Sequence, residues 1–162
     1  MISRFPITQK GYDKLIKELK SLKYNDRQLV IEAIATARDH GDLSENAEYH
    51  AAKEKQGFIE GTIKDLESKA SRAEIIDPQS MSGDIVKFGA TVILANTDND
   101  QESTYHIVGD YEADVKKNLI SISAPIAKAL IGKSVGDLIK INTPNNTKEY
   151  EIIDIKYISF DV

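Results

Sequence analysis

The chain has no cysteine and no tryptophan. Without Cys there is no disulfide framework, no thiolate nucleophile and no Cys-ligated zinc or iron–sulfur site. The same absence fits a reducing compartment. Proline is scarce, with 4 in 162 residues, and residues 9–74 have none. No apolar run approaches the ~20 residues that span a membrane. The opening Met1-Ile-Ser-Arg-Phe-Pro6 lacks the apolar core of a signal peptide. Together these features predict a cytoplasmic protein. An excess of positive charge is missing too. Lys and Arg total 21 against 26 Asp and Glu, a net charge of −5. Through Asp77 the count is 13 basic to 14 acidic, leaving 8 to 12 in the remainder. Neither part has the basic footprint that autonomous binding of duplex nucleic acid requires.

What is present divides the chain in two. Residues 9–74 are rich in Ala, Leu, Lys, Glu and Gln, all good helix formers. Thr8 is a plausible N-cap after Pro6. Tyr12, Leu15, Leu19, Leu22, Leu29 and Ala33 then follow at 3–4 spacing, interrupted by Asp26. The pattern runs to His40, roughly 45 Å of helix, and Gly41 breaks it. A second helix is predicted from near Ser44, with a stripe of Ala47, Ala51, Phe58, Ile63 or Thr62, Leu66, Ala70 and Ala73. Two such helices joined by a short turn pack antiparallel. The expected first domain is therefore a coiled-coil hairpin over 1–77 with its tip at 39–45.

Residues 78–84 read as a linker. Residues 78–162 hold three of the four prolines, and the remainder, 85–162, carries short runs of Ile, Val, Thr and Tyr. Candidate strands are 85–87, 90–96, 103–109, 119–122, 138–142 and 149–158. Asp98-Asn99-Asp100 and Pro144-Asn145-Asn146 read as loops. Pro125 to Ile131 reads as a short helix ended by Gly132. In the last strand Tyr150 and Ile152 share one face while Ile153, Ile155 and Tyr157 take the other, which predicts a bulge.

The chemistry concentrates at the tip. Asp42 and Glu45 stand three apart beside Gly41. Two carboxylates on such a turn are hard oxygen ligands suited to Mg²⁺. They make an incomplete set, because Mg²⁺ takes six oxygens, so a metal there would be shared with a partner. The same Asp-x-x-Glu spacing also fits a capping box, with Asp42 or Ser44 as the cap. His40 and His50 flank the tip as exposed polar residues, and His106 falls inside an apolar run. Gly132-Lys133-Ser134 lacks the spacing and the following helix of a phosphate-binding loop. Lys10, Lys14, Lys17 and Lys20 form a basic stripe on the first helix.

The stretch Ala37-Arg-Asp-His-Gly-Asp-Leu-Ser-Glu-Asn-Ala-Glu-Tyr-His-Ala-Ala-Lys-Glu-Lys-Gln-Gly57 closely resembles the hairpin tip of the bacterial GreA/GreB transcript-cleavage factors. Ser123-Ala-Pro-Ile-Ala-Lys-Ala-Leu-Ile-Gly132 resembles the second signature of the family, and Val108-Gly-Asp-Tyr-Glu-Ala-Asp114 also fits. The sparse basic character around the tip resembles the GreA branch more than GreB. The resemblance implies an α+β protein: an N-terminal antiparallel coiled-coil hairpin followed by a C-terminal FKBP-like β-sheet domain with a short helix. It implies a globular domain that docks on the rim of RNA polymerase, through positions matching Ser123 and Pro125, and a hairpin that enters the secondary channel. At the polymerase active centre Asp42 and Glu45 would help hold a Mg²⁺ shared with the polymerase, with no metal bound by the free protein. The polymerase would then cut backtracked nascent RNA near its 3′ end. On this reading the chain is no enzyme by itself and supplies carboxylates in trans. Ser123-Ala124 stands where the family more often has Asn-Ser, and Ser44 where it often has Lys. One alternative is a channel-binding inhibitor that stimulates no cleavage; intact tip acids argue against it. Another is a prolyl isomerase, against which the missing Trp counts.

Overall fold

The computed structural model describes residues 3–162. The chain forms two compact units, Asp13–Arg72 and, in the other, the chain up to Tyr12 joined with Ala73–Val162. The architecture is a long helical hairpin region followed by a curled β-sheet domain with a short helix.

The first unit holds α1 (Gln9–Ser21) from Asp13 onward, a five-residue π-helical turn (Leu22–Asp26), α2 (Arg27–Arg38) and α3 (Ala47–Arg72). The apolar stripe is real, but its second half lies one residue later than the spacing predicts. Leu15 and Leu19 are buried as expected, followed by Val30, Ile34 and Ala37, while Leu29 is 64% exposed. The π turn is the cause. It takes one residue more than an α turn, so everything beyond it rotates out of the expected phase. On α3 the buried residues are Ile59, Ile63 and Leu66. Phe58, expected in the stripe, is 76% exposed. α2 packs on α3, and burying each of these aliphatic side chains is worth ~1.5–3 kcal/mol. Across the arms Arg27 donates twice to Glu60, Nε to Oε1 at 2.7 Å and Nη2 to Oε2 at 2.9 Å. This fork is partly exposed, so it selects register more than it adds stability.

The second unit holds two sheets. β1 (Phe5–Thr8) pairs in parallel with β2 (Ala73–Ile76), with Ile7 opposite Ile75. The sequence places all of 1–77 in the hairpin; this pairing gives both ends of that segment to the β-rich unit. Parallel strands need a crossover connection, and here the helical hairpin provides it. The larger sheet has the order β5 (Leu119–Ser121), β4 (Glu102–Val108), β3 (Thr91–Asn96), β7 (Asn146–Lys156), β6 (Leu138–Thr143). Only β4 and β5 run parallel in it. The expected strand at 85–87 is absent; Ile85 makes a single bridge to Ser134. β7 carries the expected bulge. Its register against β3 slips between Ile93 and Leu94, passing over Ile153. The extra residue brings Ile155 and Tyr157 onto the same core as Tyr150 and Ile152. α4 (Pro125–Leu130) covers that core with Ala127 and Leu130, both fully buried.

A buried carboxylate ties the start of α1 to the loop after β4. Thr8 caps the helix, its hydroxyl accepting from the Gly11 N–H at 3.0 Å. Glu112, 4% exposed, accepts from the Thr8 N–H at 2.8 Å, from the Thr8 hydroxyl and from the Gly109 N–H at 3.3 Å. Burial pushes its carboxyl above the ordinary glutamate range, against the pull of these three donors. Gly109 passes so close to β1 that a Cβ there would collide with the Pro6 carbonyl.

Two measurements check this junction. Gly109→Ala should destabilise the protein by about 2–4 kcal/mol in urea unfolding, because backbone must move. Glu112→Gln removes a group whose neutral form the fold prefers. Wild-type stability should therefore fall relative to this variant as pH rises from roughly 4.3, the unfolded value, through the raised folded one. A difference in Tm that stays flat from pH 4 upward would contradict the assignment.

Candidate functional site at the hairpin tip

The turn between the arms occupies residues 39–46. Gly41 takes φ = +120°, a backbone state that suits glycine, and the chain reverses there. The capping box expected from Asp42 and Glu45 does not form. Asp42 instead closes a local turn, its Oδ1 accepting the Ser44 N–H at 3.0 Å and the Ser44 hydroxyl at 2.9 Å. These two donations, the backbone one first, hold the Asp42 carboxyl below the ordinary aspartate range. Both fall on one oxygen, which leaves Oδ2 open. The cap of α3 is Asn46, which sequence reasoning passed over. Its Oδ1 accepts the Tyr49 N–H at 3.0 Å, the reach of an N-cap to the third helical position. An Asn directly before Ala47-Glu48, at the opening of a helix-forming run, was the available signal.

Asp42 and Glu45 line one open concavity with His40, Asn46, Ala47 and Glu48. His50, on the first turn of α3, places Nε2 3.2 Å from the Ser44 carbonyl. Tyr49 packs edge-on against His50 and lies under the Arg38 guanidinium. Among the described residues no cluster of three or more His, Cys, Asp or Glu could hold a metal. Asp42 and Glu45 offer hard carboxylate oxygens of the kind Mg²⁺ takes, but two such groups do not fill its six-oxygen shell.

The expected docking residues lie in the other unit. Ser123 follows β5, and Pro125 opens α4 behind Ala124. Ser123 donates to Asp110 Oδ1 at 2.7 Å, and the Ser121 hydroxyl donates to the same oxygen. Asp110 and Ser121 were not singled out by sequence, since their meeting depends on the parallel pairing of β4 with β5. His106, a β4 residue as its apolar run implied, stacks on Phe160 with ring centres 4.3 Å apart. Lys10 leaves the basic stripe to bind Ser159 and the Phe160 carbonyl, each at 3.0 Å.

Residues 5–75 match the family model for the N-terminal part of the GreA/GreB transcription elongation factors, and residues 81–157 match the C-terminal one. The chain belongs to this family. It is 57% identical to the transcription elongation factor GreA of Rickettsia prowazekii and 56% identical to that of Rickettsia canadensis, over all 162 residues and the full length of each. The GreA of a Chelativorans species is 56% identical over 96% of this chain and 99% of its own. Among solved structures, the transcription factor Gfh1 aligns with 96% of this chain and 99% of its own, at 27% identity and a TM-score of 0.47.

Ser44→Ala tests how the tip holds Asp42. It removes the hydroxyl donor and keeps the backbone one. The Asp42 pKa, followed by NMR titration, should rise toward the ordinary aspartate value without reaching it. A value equal to wild type would show that the hydroxyl contributes nothing.

Proposed function

We propose that the chain binds RNA polymerase in the cytoplasm, places its hairpin in the secondary channel and stimulates the polymerase to cut backtracked nascent RNA. The observation that carries this reading is the pair Asp42 and Glu45, exposed on the one turn that joins two long helices. α1 to α2 span about 45 Å at ~1.5 Å per residue, which gives a turn the reach to enter a deep site. The carboxylates are too few to bind Mg²⁺ alone, and a polymerase and its RNA offer the missing oxygens. Asp42 and Glu45 would hold the ion between them and the partner. When bound, the Mg²⁺ supplies a Lewis acid that makes its water a better nucleophile. Asp42 arrives ionised at neutral pH as an exposed aspartate does, and the Ser44 donors favour that charged form further. Glu45 adds a second negative group for orienting the attacking water. The contribution is electrostatic preorganisation supplied in trans. Ser123 and Pro125, with Asp110 and Ser121 behind Ser123, form the docking contact in the second unit.

The test is fragment release from backtracked transcription complexes, over series of factor and Mg²⁺ concentration. Wild type should accelerate release. Asp42→Ala and Glu45→Ala should each lower the rate at saturating factor by about a hundredfold, with the half-saturating concentration unchanged. Ser123→Ala should raise that concentration and spare the saturated rate. Wild-type cleavage by polymerase-bound Asp42→Ala would sink the tip assignment. Inhibition without cleavage by the wild type would make the protein a channel-binding inhibitor instead.

A further inference from the structure

We propose that Asn46 is the positioning residue of the tip, closing the turn through both ends of its side-chain amide so that Asp42 and Glu45 keep a fixed place between the arms. This rests on the reading of the tip acids given above. The carbonyl end caps α3 by accepting from Tyr49, and the amide end crosses the turn to donate to the Ala37 carbonyl at 2.6 Å. Ala37 is 2% exposed and is the last buried residue of α2. One side chain therefore joins the start of the second arm to the end of the packed seam in the first. The other contacts of the turn do less. Among the described residues, the hydrogen bonds of Asp42 go to Ser44, inside the turn. The His50 contact to Ser44 begins on α3 and ends inside the turn. The Arg38 guanidinium crosses to Tyr49, but at 5.9 Å from the ring centre it is near the limit of a cation–π contact.

The residue type follows from the two roles. A cap needs an acceptor, and Asp, Ser and Asn all supply one. The crossing to Ala37 needs a donor at the same side-chain length. Asp would turn a carboxylate toward a carbonyl, and Ser is too short. Asn alone of the good caps does both. Capping and crossing can thus be separated by substitution: Asn46→Asp and Asn46→Ser keep the first and lose the second. Both variants should retain the helical content and Tm of wild type, since the cap survives.

Two readouts in the full-length chain decide the matter. Amide hydrogen exchange over residues 39–45 should quicken about tenfold in both variants, the size of one hydrogen bond, with exchange beyond the first turn of α3 unchanged. Stimulated RNA cleavage at saturating factor should fall about ten- to a hundredfold, at an unchanged half-saturating concentration and with a higher Mg²⁺ requirement. Tip exchange equal to wild type overturns the proposal, and so does quickened exchange with wild-type cleavage. If the wild type itself stimulates no cleavage, the functional reading fails separately, and tip exchange alone then decides whether Asn46 closes the turn.

Discussion

The molecule depends on phase: each element must turn its apolar residues to one side and keep them there. An α-helix and a strand each have a fixed period, and a run that drifts from it exposes what it should bury. This chain corrects the drift twice by spending one residue. The π turn at Leu22–Asp26 rotates α2 so that Val30, Ile34 and Ala37, rather than Leu29 and Ala33, meet α3. The bulge in β7 passes over Ile153 so that Ile155 and Tyr157 join Ile152 on the core. Without the first correction the arms would meet through different faces, and the turn between them would move with them.

How legible these corrections were in the sequence depends on whether the apolar residues themselves betray a slip. In β7 they do. Ile152 and Ile153 are adjacent, so a strict alternation is broken in plain view. In the first arm they do not. Leu29 and Val30 are both apolar and either fits the helical period, so Asp26 marked an interruption without giving its sense. The long helices, the break at Gly41, Thr8 as a cap and Pro125 as the opening of α4 were all readable, because each depends on a few neighbouring residues. The parallel pairing of β1 with β2 was not, since nothing near Phe5 announces a partner at Ala73.

The candidate site divides along the same line. Asp42 and Glu45 stand out because two acids beside a glycine, in a turn closing two helices, ask for a reason. Their supports do not. A capping box and an Asx turn draw on the same residue types, and only coordinates show that Asp42 serves Ser44 while Asn46 serves α3. The cluster of Asp110, Ser121 and Ser123 needs the β4–β5 pairing before its members are neighbours at all. The acids can thus be picked out by residue type, while the neutral residues that hold them emerge only from the fold.

The parallel ribbon of β1 and β2 has a kinetic consequence. Its strands are distant in sequence, so pairing them from an open chain means closing a long loop at a substantial entropic cost. Packing α2 on α3 first shortens the effective loop between the two strands. The helices rest on local contacts and form on a faster timescale than such a closure. The hairpin that carries the acids therefore also lowers the cost of closing the ribbon at the two ends of its own sequence.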